Sequence, residues 1–459
     1  MIKTKRVRKR RAVNVIITKG DDENNQKKNF LSYFQRRQFP ALLDATGNLS
    51  RNGWNQGLPS PSNQTRICTF IAVVPQNIPM LFHIVLTLFF AGYVGSFLYA
   101  KIAARLRIED RLNQQERNAP VGGGIVVVAL FVGATLFQAS NGSQSGFEWS
   151  RTFFIAFIAL YYAWIGHSAD RNNMPGNVKL SLQILPAASA AFLVFRPLVF
   201  PTEFIYVHPT NDLLYLKLGG VVGLCFITLS ILACVHSFNA LDGADGFATT
   251  LAILYAITLE IVLLAWEEPS PNLIFACLAL AALLAGFLVL NFPPAKLHLG
   301  NAGSLPIGFL LAALTFCVFS YNKYIRPVPI FCLWTLPAID LTAAILRRRT
   351  QHKSIFAPDH DHIHHFLERR FGKGAPVVVA LILLQIPLSA AVVISYKTGS
   401  DAVSLGAAVL YWTALPLFNL FGRNELLQLR SCIRAQAVES NSNAIEGAAD
   451  QDGRDENLS

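Results

Sequence analysis

The stretch Leu216–Trp266 decides the fold. It reads "LKLGGVVGLCFITLSILACVHSF" over Leu216–Phe238, "NALDGADG" over Asn239–Gly246 and "FATTLAILYAITLEIVLLAW" over Phe247–Trp266. Each apolar flank is long enough to cross a bilayer, because about 20 apolar residues in a helix span about 30 Å of hydrocarbon. Between the flanks stand one carboxamide and two carboxylates, Asn239, Asp242 and Asp245. The i, i+3 spacing allows Asn239 and Asp242 to share a helical face, and Gly243 and Gly246 loosen the backbone where Asp245 must turn to join them. Ionisable groups gathered at a membrane helix end point to function by default. The plainer alternative is a polar hairpin loop that happens to carry aspartates.

The rest of the chain has the same character. Hydrophobic residues make up 53% and charged residues 15%, against about a quarter charged in an ordinary soluble domain. Hydropathy and length mark eleven spans, near Pro79–Ala100, Val121–Gln138, Thr152–Gly166, Leu180–Phe200, Leu214–Val235, Phe247–Trp266, Leu273–Phe292, Leu305–Ser320, Val328–Leu346, Pro376–Ser395 and Val403–Phe421. The expected fold is all-α, a polytopic integral membrane protein with about eleven transmembrane helices, since lipid offers no partner to an open sheet edge. Of the seven cysteines, the five in apolar runs read as small core residues, not as disulfides or a zinc site.

Three segments follow: a basic extension over 1–77 of disordered composition, the membrane domain over 78–425, and an acidic, disordered tail over 426–459. Residues 1–40 hold twelve Lys or Arg against three acids, a balance of +9. With no interleaved aromatics the basic arm reads as a solvated tail and not as a nucleic-acid binder. Residues 436–459 hold six acids and one Arg, a balance of −5.

The loop Lys101–Ala119 carries five Lys or Arg and Arg347–Gly374 carries seven. Both follow odd-numbered spans, so the positive-inside rule places the odd-to-even loops in the cytoplasm. The basic arm then falls on the wrong side, unless it is missing from the mature chain or "ICTFIAVV" is a further apolar piece. Five chemically loaded loops share the cytoplasmic face: "NAPVGGG", "HSADRNNMPGNVK", "NALDGADG", "KLHLGNAGS" and "RRRTQHKSIFAPDHDHIHH".

Carboxylates facing a basic strip and histidines suggest a magnesium-dependent diphosphate site, because Mg²⁺ prefers carboxylate and phosphate oxygens. Asp170, Asp242 and Asp245 supply oxygens, while Arg347, Arg348, Arg349 and Lys353 offer charge to phosphate. The Arg run also reads simply as positive-inside anchoring. The histidines 360, 362, 364 and 365 lack the spacing of a structural zinc site; phosphate binding or acid–base work is the reading. Gly300, Gly303 and Ser304 before a span suggest backbone N–H groups aimed at an anion.

Taken in order, "PVGGG", "ADR…K", "NALDGADGFA", "GNAGS-PIG", "P-ID", "RRR…KSIFAPD" and "HIHH" resemble the polyprenyl-phosphate N-acetylhexosamine-1-phosphate transferase family (glycosyltransferase family 4), over roughly Leu81–Phe421. The resemblance implies a bacterial plasma-membrane enzyme that moves a sugar-1-phosphate, GlcNAc-1-phosphate first among them, from a UDP-amino sugar to undecaprenyl phosphate. UMP would be released at a cytoplasmic site, in the first membrane step of cell-envelope polysaccharide synthesis. Mg²⁺ is the implied cofactor, with Mn²⁺ as a substitute, and the implied partners are the polyprenyl phosphate carrier, membrane lipids and a second copy in a homodimer. Residue by residue, the resemblance implies catalytic roles for Asp170, Asp242 and Asp245. It implies substrate contacts from Lys179, Asn239, Arg348, Asp359, His362, His364 and His365, and metal contacts from Asn301 and Asp242. Two positions depart from the family's pattern. Ala169 stands where the first of two paired aspartates is usual, and Asn301 where the glycine-loop aspartate is usual. These departures keep a second reading open, a catalytically impaired relative that binds lipid carrier or nucleotide. A transporter is a third reading, and the charges gathered at helix ends speak against it.

Overall fold

The structure, a computed structural model, describes residues 78–106, 119–141, 146–172, 174–194, 205–210, 212–216, 220–265, 270–320, 327–355, 359 and 361–415. The basic extension, "ICTFIAVV", His360 and the acidic tail lie outside the described residues. Helices dominate: α1 Ile78–Arg105, α2 Gly124–Asn141, α3 Gly146–Asn172, α4 Gly176–Ser189 continuing through a π-turn to Val194, α5 Gly220–Leu241, α6 Phe247–Leu264, α7 Pro271–Asn291 and α8 Asn301–Ser320. The chain continues with α9 Pro327–Leu333, α10 Thr335–Thr350, α11 Ile363–Phe371, α12 Ala375–Thr398 and α13 Ala402–Leu415. Among the described residues nine helices are long and apolar enough to cross a membrane, or ten if the bent pair α9 and α10 forms one span. The protein is a helical, polytopic membrane protein.

Two features correct the reading of eleven uniform helical spans, and one span is described only in part. Val328–Leu346 is not one helix but α9 and α10, bent by 71°. Pro337, in the first turn of α10, has no N–H for the Leu333 carbonyl, and its ring crowds that group, so the helix breaks at Trp334. The last helix described, α13, covers 14 residues, and residues 416–421 of the expected span lie outside the described residues. Finally, the chain is not helical throughout. Strands β1 Ile205–Thr210 and β2 Asp212–Leu216 pair antiparallel, with Tyr206 opposite Tyr215, so α5 begins at Gly220 and not at Leu214.

Helix α8 forms the axis of the domain. It packs against α3, α5, α2 and α6, and its residues 302–319 are all buried. Bilayer lipid is as apolar as leucine, so helices associate there through close packing of small residues. Gly303 of α8 lies against the backbone of Gly124 on α2, Gly308 faces Val235 and Phe238 on α5, and Gly166 on α3 abuts the Asn301 carbonyl. By contrast α1 exposes Phe82, Phe90, Leu98 and Ile102. That apolar face suits contact with lipid.

Candidate active site

The helix ends around the N-terminus of α8 converge. Gly300 has φ +71° and turns the chain into α8, leaving Asn301 as its first residue. A helix start leaves backbone N–H groups without partners, and Asp170 from the last turn of α3 supplies them. Its Oδ2 accepts from Ala302 N at 3.0 Å, and its Oδ1 accepts from Asn301 N at 3.2 Å and Asn301 Nδ2 at 2.6 Å. Lys179, in the first turn of α4, donates from Nζ to Asn301 Oδ1 at 2.7 Å and to Asn239 Oδ1 at 2.9 Å. Asn239 Nδ2 donates in turn to Asn301 Oδ1 at 3.0 Å and to Ser304 Oγ at 2.7 Å. Four elements separated widely in sequence are thereby tied into one polar knot. Because Asn301 meets an ammonium on one side and a carboxylate on the other, its amide has a single workable orientation.

Helix α5 stops at Leu241, and Gly246, with φ +69°, starts α6. Asp242 and Asp245 therefore sit in the turn and not on the helix. Asp245 Oδ2 accepts from Ala295 N at 3.0 Å, and its Oδ1 lies 3.6 Å from His298 Nδ1. Gly243 leaves room for the ring of His364. His364 is 2% exposed, and its ring centroid lies 5.8 Å from that of His362 and 4.1 Å from that of His365.

The histidine segment is held from behind by α10. Asp340, fully buried, accepts from Ile363 N at 2.7 Å and contacts His362 Nδ1 at 2.7 Å. The carboxylate requires a proton on Nδ1, so a neutral His362 presents its other nitrogen as an acceptor. Arg347 is 2% exposed and grips Asp359 Oδ2 through Nη2 at 2.6 Å and Nε at 3.2 Å. Burial opposes ionisation of Asp359, but the hydrogen bond and charge of Arg347, followed by the field of His362, outweigh it and hold the carboxyl below its ordinary 3.8. His365 Nδ1 lies 3.3 Å from Glu368 Oε2.

These residues face one open cavity of about 1060 Å³. Asp170, Asn239, Asp242, Asp245, Asn301, Asp359, His362, His364 and His365 line it. Lys179 is joined to it through Asn239 and Asn301. Arg348 is not in the lining: its Nη1 donates to Ile355 O at 2.8 Å, and its neighbour Arg347 turns toward the site instead. The lining also includes His298, Lys296, Glu368 and Lys373, none of them singled out from the sequence. Asp340 was legible as a carboxylate inside an apolar run, a pattern that marks function in a membrane segment.

The residues present do not suit a resident divalent ion at Asn301. Its carbonyl oxygen already accepts from Lys179 and Asn239, and both oxygens of Asp170 accept from α8. Among the described residues no three His, Cys, Asp or Glu side chains form a group that would hold a metal. The metal role expected of Asn301 therefore meets an oxygen that is already engaged.

A multi-pass helical membrane protein whose scattered polar loops close around one cavity, large enough for a nucleotide and a diphosphate, defines the class. The family model for glycosyl transferase family 4 matches residues 152–318. The decaprenyl-phosphate N-acetylglucosaminephosphotransferase of Mycobacterium leprae (strain TN) is 30% identical over 367 residues, which cover 72% of this chain and 88% of that protein. The undecaprenyl-phosphate alpha-N-acetylglucosaminyl 1-phosphate transferase of Escherichia coli (strain K12) is 25% identical over 289 residues, covering 60% and 72%. The chain belongs to glycosyl transferase family 4, the membrane transferases that join a sugar-1-phosphate to a prenyl phosphate.

Proposed function

We propose that the chain transfers an N-acetylhexosamine-1-phosphate, GlcNAc-1-phosphate first among them, from its UDP-sugar to undecaprenyl phosphate and releases UMP. The reaction belongs on the cytoplasmic face of a bacterial plasma membrane, as the first lipid-linked step of an envelope polysaccharide. The observation that carries this reading is the meeting of the Asn239–Gly246 turn, the Asn301 helix start and the histidine segment at one cavity.

An oxygen of the lipid phosphate bonds to the β-phosphorus of the sugar nucleotide. The bond from that phosphorus to the bridging oxygen breaks, and UMP leaves with the electron pair. A phosphate monoester loses its second proton near pH 6, so the nucleophile is an anion without a protein base. What remains for the protein is alignment and opposition of charge. Asp242 and Asp245 hold the nucleotide sugar, Asp170 fixes the start of α8 through its hydrogen bonds, and His362, His364, His365 and Lys373 meet the diphosphate. Membranes carrying the chain should release labelled UMP when given UDP-GlcNAc and undecaprenyl phosphate. Silence across a panel of UDP-sugars overturns the proposal.

The hydrogen-bonded knot at Asn301, beside a buried Ala169, favours one other reading, a relative that binds lipid carrier or nucleotide without turnover. If only the double variant Ala169→Asp with Asn301→Asp releases UMP, that second reading stands.

A further inference from the structure

We infer that the Asn301 amide and the Lys179 ammonium take the place of a divalent cation at the Asp170 corner of the cavity. The side chains of Asp170 and Asn301 approach to 2.6 Å, with an N–H between them. Two carboxylates at that separation repel, so either a cation lies between them or one of them takes up a proton. The amide removes the need by donating Nδ2 to Asp170. On its other side Asn301 Oδ1 accepts from Lys179 at 2.7 Å and Asn239 at 3.0 Å, which fills its lone pairs. Asp170 is satisfied on both oxygens by the start of α8. At position 169 a buried alanine offers no further oxygen.

An arriving cation would therefore have to expel the Lys179 ammonium, break the Asn301–Asp170 hydrogen bond and settle beside a displaced positive charge. With one carboxylate and one ammonium the corner is closed and neutral, and a fixed lysine supplies the charge that a metal would bring. A consequence follows for position 301. Aspartate there would create the carboxylate pair that the present sequence avoids, and with it a cation site. That the anion facing this corner is a diphosphate rests on the proposed function; the absence of a cation site does not.

The test uses the full chain in lipid nanodiscs and Mn²⁺ alone, followed by its electron paramagnetic resonance signal. The native chain and Asp170→Asn should bind Mn²⁺ alike, within about two-fold. Asn301→Asp should gain a site at least ten-fold tighter, which the added change Asp170→Asn should abolish. Native Mn²⁺ binding weakened ten-fold by Asp170→Asn overturns the inference, as does a folded Asn301→Asp chain with no gain. Should Asn301→Asp fail to fold, the native and Asp170→Asn comparison still decides the matter. Because no sugar nucleotide is present, the outcome is separate from that of the UMP measurement.

Discussion

Asp340 touches no part of the cavity, yet it holds the residue that does. It combines full burial with two bonds of 2.7 Å, to the His362 ring and the Ile363 N–H, and hydrogen bonds to charged groups contribute about 1.5–3 kcal/mol each. Asp340→Asn should cut UMP release about ten-fold or more and lower the melting temperature in detergent. An unchanged pH profile and rate would show that His362 is oriented by something else. Asp359 carries a pH signature. Its carboxyl titrates lower in the folded protein than its ordinary 3.8 because Arg347 outweighs the effect of burial. A depressed acid contributes its full stability above the unfolded value and loses it as pH falls through the folded one. Thermal stability should hold from neutral pH to about pH 5 and drop below about pH 4, and Asp359→Asn should flatten that acid limb. A native chain whose melting temperature is indifferent to acid would contradict the pairing.

Among the elements, α8 depends on small residues at its crossings. A methyl group on Gly166 would run into the Asn301 carbonyl, and forced overpacking costs about 1–3 kcal/mol. Gly166→Ala should lower the melting temperature and, by shifting Asn301, reduce UMP release more than Gly133→Ala, where a methyl group meets nothing within 4 Å. Equal effects from the two would remove the special role of the α3–α8 crossing. The helices themselves were legible in hydropathy, because length and apolarity alone fix a membrane segment. What hydropathy averages away is the single residue that breaks a span. The bend at Trp334 comes from Pro337, and without it the Val328–Leu346 run looks uniform. The loop motifs were legible for the same local reason, as polar residues at span ends. Their partners were not: Lys179 and Asn301 are 122 positions apart, and no local pattern carries that distance. Arg348 and Arg347 are equivalent on paper, and only the orientation of α10 turns Arg347 toward Asp359.

For the molecule as a whole, the cavity lies at one end of the helix bundle, and the proposed function requires that end to face the cytoplasm, as the positive-inside rule leads one to expect. In a cysteine-free background, Lys373→Cys and Lys296→Cys, both at the cavity lining, should react with an impermeant maleimide only from the cytoplasmic side. Reaction of either from outside, or of the two from opposite sides, would dissolve the shared site.

Enclosure of α8 has one more consequence. A bilayer that is too thick or too thin acts on a protein by tilting and stretching the helices it touches. Beyond Asn301, which faces the cavity, residues 302–319 of α8 are buried in protein, so such forces reach them only after being shared among the neighbouring helices. Turnover in vesicles of increasing acyl-chain length should therefore vary little, leaving the chemistry insulated from the mechanical weather of the membrane around it.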